Sequence, residues 1–281
     1  MDKILGIIIW LLTVILYSPL FYELYRRKWE GVDYTHAYFI LPISLLIVFL
    51  NRKKIRDAVQ VEGKGQVFHA GLMLIIGSLL LFILGWRGGY SSLQTFSLIP
   101  LLAGLIWYLY GYKTLRLLLF PILYLLLLVP PPMGVLDSIT LPMRYFSSTL
   151  SAQLLNAMHY PIVREGLLLS IGSHELYMGA PCSGFRSLIT MFSLGLVYVY
   201  FIKGKLSKSL ILVFSIIPFA LLGNIIRIVC LCLITYYYGD EAGQGFFHDF
   251  SGIIVFLIMI SGLIGLEKIL NSDKSGKGRV C

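Results

Sequence analysis

Charged residues are scarce. Only 13% of the 281 residues are Asp, Glu, Lys or Arg, against about 25% in soluble domains. That deficit excludes an ordinary water-solvated globule. Cysteine is sparse too: Cys182, Cys230, Cys232 and Cys281 are the four, and no pair has zinc-site spacing or belongs to a disulfide framework. Cys230 and Cys232 lie in an apolar block and point in different directions on a helix, which suits small buried hydrophobes. No cluster of ligand-type side chains suggests a metal or organic cofactor, so neither is expected. Internal repeats and low-complexity linkers are absent, and 1–281 reads as a single membrane-embedded domain. The net charge of +9 does not point to nucleic acid, because the basic residues fall in short clusters between apolar blocks.

What is present is apolar sequence: 58% of the chain is hydrophobic, gathered in long blocks rather than at helical or strand periods. Such blocks argue for spans. Eight are expected, at about 4–21, 34–50, 67–86, 95–112, 115–130, 186–202, 208–237 and 250–267. The fold class is therefore an all-α polytopic integral membrane protein of about eight transmembrane helices. The fifth block is short and ends in Pro130-Pro131-Pro132, which cannot continue a helix. The seventh is too long for one perpendicular helix. Pro218 and Gly223-Asn224 leave it either one kinked helix or two segments. The first block could be a signal peptide, but YELYRRKW lacks a small-residue cleavage site, so it is kept as a span.

Lys and Arg set the orientation. With the N-terminus inside, fifteen fall on the cytoplasmic side and seven outside. Both termini are then cytoplasmic, and the segment 131–185 faces out and leads to Cys182. Within it, GVLDSITLPMRYFSSTLSAQLLNAM reads as an amphipathic helix lying on the outer surface. PIVREGLLLSIGSHELYMGAPCSG reads as a short extended ribbon or hairpin.

Three features carry possible chemistry. In APCSGFRSL, residues 180–188, Cys182 sits at the N-terminal cap if Ser183 or Gly184 starts the next helix. Helix-end charge and the Arg186 guanidinium would both favour its thiolate. Arg186 shares a face with it if the turn is helical. A plain turn with Arg186 reaching to the surface fits the same residues. In GNIIRIVC, Arg227 lies mid-span, where a charge must face the bundle interior or a wet cavity. Asn224, three residues earlier, shares its face, and backbone carbonyls alone would also satisfy that arginine. In FFHDFSG, residues 246–252, His248 at the outer end of the last block can pass protons near neutral pH. His36, in DYTHAYF, also lies at an outer span end and could line the same cavity. A cysteine, a proton-passing histidine and a cation for an oxyanion make a workable acyl-transfer site.

Together these blocks resemble the exosortase/archaeosortase family of membrane-embedded protein-sorting enzymes, over most of the chain from His36 to the last span. APCSGFRSL is similar to the family's Cys-Ser-Gly block, GNIIRI to its Asn-x-x-Arg block, and FHDFSG to its His block before the last span. YTHAYFILP resembles an N-terminal Tyr-Ser-His-Gly stretch, from which Thr35 and Ala37 depart. VPPPMGVLDSITLPMR and PIVREG also resemble family stretches. The resemblance implies Cys182 as catalytic nucleophile, Arg227 and His248 as catalytic partners, and Arg186, Asn224 and His36 as supporting or substrate-binding residues. It implies a cysteine-type endopeptidase or transpeptidase of the inner membrane, acting at the outer face. Its partners would be exported proteins ending in a motif, a transmembrane helix and a basic tail, within membrane lipid. In Gram-negative bacteria that motif is commonly of Pro-Glu-Pro type and accompanies exopolysaccharide production. Two alternatives are a transporter with a midplane Arg227/Asn224 site and a membrane acyltransferase using the same cysteine.

Overall fold

The structure, a computed structural model, describes residues 3–29, 36–61, 69–132, 134–179, 184–202, 206–244, 257 and 259–270. Cys182 and His248 lie outside the described residues, as does the side chain of Arg186. Two compact units make up the chain, Met1–Met133 and Gly134–Cys281.

The first unit contains α1 (Lys3–Leu24), α2 (Ala37–Leu50), α3 (Arg52–Val61), α4 (His69–Gly88), α5 (Ser91–Tyr110) and α6 (Tyr112–Tyr124). A 3-10 turn, Leu125–Leu128, extends α6. Its surface is inverted relative to a soluble protein. On α4 the buried residues are Gly71, Ser78 and Gly85, while Met73, Leu80 and Leu84 are exposed. Steps of seven put the three small residues in one line along the helix. That line lets α5 come close: a Cβ on Gly104 would stand 2.9 Å from the Gly71 carbonyl oxygen. Small residues at the contact and large apolar ones outside are how helices pack when lipid is the solvent. The Tyr17 hydroxyl lies 2.7 Å from Ser97 Oγ, and Ser97 in turn donates to the Gln94 carbonyl at 2.6 Å.

The second unit is built around α9 (Leu206–Tyr238), a single helix of 33 residues. Pro218 removes one backbone donor but does not end it, so this block is one helix and not two segments. The lower part of α9 packs against α8 (Phe185–Ile202) and the helix at 259–270. There Met191, Ile216, Ala220 and Met259 form a buried cluster, and Tyr198 donates to Glu267. The upper part has different partners. Leu155 of α7 (Val135–Ala157) packs with Leu169, Ile171, Leu176, Ile228, Val229 and Cys232. The sheet that supplies three of these is antiparallel, β1 (Ile162–Glu165), β2 (Leu168–Ile171) and β3 (His174–Tyr177), in that order. Its two connections each hold two residues, and each begins with a glycine at positive φ, Gly166 and Gly172, as tight hairpin turns require.

Among the described residues, four helices are long and apolar enough to cross a membrane: Ile4–Leu24, His69–Gly88, Ser91–Tyr110 and Ser207–Tyr238. Ala37–Leu50 and Ser187–Ile202 are apolar but shorter.

The helix expected across 134–158 is present as α7, and its polar face packs against protein. Thr140, Arg144, Ser147, Ser148 and Ser151 are buried, while Ile139, Tyr145, Phe146 and Leu154 are exposed. A helix lying on the membrane surface also leaves its apolar face to lipid, so what the sequence does not show is the burial of the polar face. The reason is close packing: Ser151 Oγ donates to the Ile225 carbonyl of α9 at 3.3 Å, a contact that a larger side chain would hold apart.

Candidate functional site

Asn224 and Arg227 sit where α9 changes partners. The face of α9 that buries Ile216 and Ala220 continues at steps of four and three to Asn224 and Arg227, so all four share one side of the helix. Asn224 is buried and Arg227 half-buried. Below Asn224 this face meets α8. Above it α8 has ended, and the next contacts, at Ile225 and Ile228, are with α7 and the sheet. Arg227 therefore lies one turn past the head of α8, at the open end of the α8–α9 hairpin rather than midway along it.

Gly184 forms that head. Its φ is +72°, outside the right-handed region, and its carbonyl accepts from the Leu188 N–H at 2.9 Å, the first bond of α8. The helix begins at Phe185. Cys182 thus precedes the cap by two residues and is not itself the cap. Arg186 belongs to the first helical turn, and its placement relative to Cys182 lies outside the described residues. Gly184 also touches α9: a Cβ there would lie 2.8 Å from Asn224 Cγ. Cys182 is two residues from Gly184 in the sequence. Arg227 lies only about 4.5 Å along the helix axis from Asn224.

His36 belongs to the first unit. It is buried at the start of α2, and its Nε2 stands 3.2 Å from the Leu127 carbonyl. A carbonyl only accepts, so this nitrogen carries the proton and donates. Among the cysteines, Cys232 is fully buried in the α7–sheet–α9 cluster and Cys230 is exposed.

Two further polar features have no counterpart among the sequence motifs. Arg144 is 9% exposed. Its Nη2 donates to Thr140 Oγ1 at 3.4 Å and lies 3.8 Å from Asp137 Oδ1. Thr140, Arg144, Ser147, Ser148 and Ser151 recur at helical spacing, a polar stripe that the sequence displays but that reads there as surface. His174 Nδ1 lies 3.1 Å from Asp240 Oδ1. This pair joins β3 to the first residue of α10 (Asp240–Gln244), a helix that ends four residues upstream of His248. Nothing local in the sequence signals it.

Inverted surfaces, spanning-length helices and a buried Asn beside an Arg at the head of a helix define an integral membrane protein with a polar site built into its helices. The family model described as Transmembrane exosortase (Exosortase_EpsH) matches residues 28–265, and the chain belongs to that family. It is the family that the blocks around Cys182, Arg227 and His248 resemble. No curated protein and no solved structure matches the chain.

Proposed function

We propose that this protein is a membrane cysteine peptidase or transpeptidase that cuts exported proteins at a C-terminal sorting signal. The observation that carries the reading is the seating of Gly184 on Asn224. It ties the chain two residues from Cys182 to the turn of α9 that ends in Arg227. Family membership supports exosortase-type activity in general, and this contact supports the assignment of particular residues.

In the proposed reaction the Cys182 thiolate attacks the carbonyl carbon of the scissile peptide bond. Arg227 stabilises the developing oxyanion with paired N–H donors. The C–N bond breaks, His248 gives a proton to the leaving amine, and a thioester remains on Cys182. His248 then takes a proton from the acceptor nucleophile, which displaces the thiol. Arg186 assists by charge and Asn224 holds the head of α8. His36 supports the fold of the first unit through Leu127. We place both termini in the cytoplasm and the site on the outer face of the inner membrane, reached from 131–185, with about eight spans in all. The unbroken α9 disfavours a transporter, whose midplane sites are usually built on interrupted helices.

The test is co-expression with an exported protein ending in a motif, a transmembrane helix and a basic tail. Mass spectrometry of the mature substrate should find a new C-terminus within the motif. A substrate that keeps its full length beside well-expressed, inserted enzyme would contradict the proposal.

A further inference from the structure

The first unit contains an apolar groove of about 770 Å³ that is open rather than enclosed. Its lining runs along α1 from Trp10 to Phe21, with α2, α5 and α6 as walls and Ile55 and Val59 of α3 at one end. Polar groups in the lining are engaged in hydrogen bonds. Trp10 Nε1 donates to the Tyr110 hydroxyl at 3.0 Å, Ser44 Oγ to the Pro121 carbonyl at 3.0 Å, and Thr114 Oγ1 to the Tyr110 carbonyl at 3.0 Å. The groove therefore suits an apolar occupant.

Length and charge select among such occupants. From Trp10 to Phe21 is a rise of about 16 Å, close to half of a hydrocarbon core of ~30 Å. A guest helix that spans the membrane needs the full thickness, whereas an acyl chain of one leaflet needs half. At the α3 end the flanking residues are cations. Lys53, Lys54 and Arg56 are exposed around Ile55, and Lys113 and Arg116 are exposed around Thr114. Asp57 is the one acid on α3 or the first turn of α6. The mouth thus has a charge suited to a phosphate-bearing headgroup and unsuited to a cationic one.

We propose that this groove binds an acyl chain of one anionic phospholipid, drawn from the leaflet that α3 faces, with the headgroup held by the α3 and α6 cations. The site lies wholly in the first unit and is independent of the reaction proposed above.

The test uses the full-length protein, purified and reconstituted in phosphatidylcholine with added phosphatidylglycerol. Native mass spectrometry counts the lipids retained. Each cation near the headgroup is worth roughly fivefold in affinity. The wild type should therefore retain one phosphatidylglycerol, and Lys53→Gln/Lys54→Gln/Arg56→Gln should weaken that retention on the order of a hundredfold. These three side chains are exposed, so the variant is expected to fold. Leu102→Trp fills the groove and leaves every cation in place, and it should abolish retention. Equal retention of both lipids by the wild type would overturn the proposal. So would undiminished phosphatidylglycerol binding in correctly folded Leu102→Trp, which would put the lipid on the basic surface and not in the groove.

Discussion

Gly184 packs against the side chain of Asn224 so closely that a Cβ would come within 2.8 Å of Asn224 Cγ and 2.9 Å of Asn224 Cβ. Through this contact the first turn of α8 takes its place on α9 one turn before Arg227. Two effects therefore act on any replacement of Gly184, the clash and the positive φ. Left-handed backbone costs a non-glycine residue about 1–2 kcal/mol. Gly184→Ala should reduce substrate processing at least tenfold while the protein still inserts. Adding Asn224→Ala removes the contact with Cγ but keeps the 2.9 Å contact with Cβ and the backbone strain, so it should give little recovery. Initial rates for the two single variants and the double variant check this.

Arg227 is assigned on shape as well as charge. A planar guanidinium can donate two parallel bonds to an oxyanion, which lysine cannot. Loss of a good oxyanion donor costs roughly 10²–10³ in rate. Arg227→Ala should therefore lose all product in an end-point assay, and Arg227→Lys most of it, at unchanged expression. Normal processing by both would leave Arg227 a structural arginine.

Burial also decides which positions in the segment proposed to face out can report its side of the membrane. Val163 on β1 is 60% exposed, whereas Ser147 on α7 is fully buried. In a cysteine-free background, Val163→Cys should react with an impermeant maleimide in intact cells. Ser147→Cys should resist it until the protein is denatured. Labelling of Val163→Cys only after permeabilisation would reverse the proposed orientation.

The approach of α7 to α9 depends on small residues. Ser151→Leu inserts bulk where Ser151 Oγ meets the Ile225 carbonyl, and overpacking typically costs about 1–3 kcal/mol. Its unfolding midpoint should fall by several degrees. Leu154→Ala, at an exposed position, should change it little. Thermal unfolding in one detergent compares them.

The helical scaffold is legible because membrane helices are written as unbroken apolar runs. The spans at 67–86 and 95–112 correspond to α4 and α5 within four residues at each end. Polarity alone misleads elsewhere. Pro218 and Gly223 advertise a break, but packing on both sides of α9 keeps it continuous. The polar residues of α7 suggest water, yet small hydroxyls also permit close helix contact, and a pattern of types does not tell these apart. The helix α3 is masked by the charge of NRKKIR, which draws attention from the spacing of Ile55 and Val59. In the site, Asn224 and Arg227 share a face by local periodicity, which sequence reveals. The Gly184–Asn224 and His174–Asp240 contacts join residues distant in the chain, and only the fold brings them together.

The nucleophile is the centre of the proposed reaction. The most direct measurement tracks release of the C-terminal fragment of a substrate by wild-type protein and by Cys182→Ala, alongside intact-mass analysis of the enzyme. The wild type should release the fragment and, when acceptor is withheld, carry a hydroxylamine-labile adduct on Cys182. Cys182→Ala should release none and carry no adduct, while Cys230→Ala and Cys232→Ala remain active. Fragment release by Cys182→Ala at the wild-type rate would contradict the assignment of this cysteine and the thioester route with it.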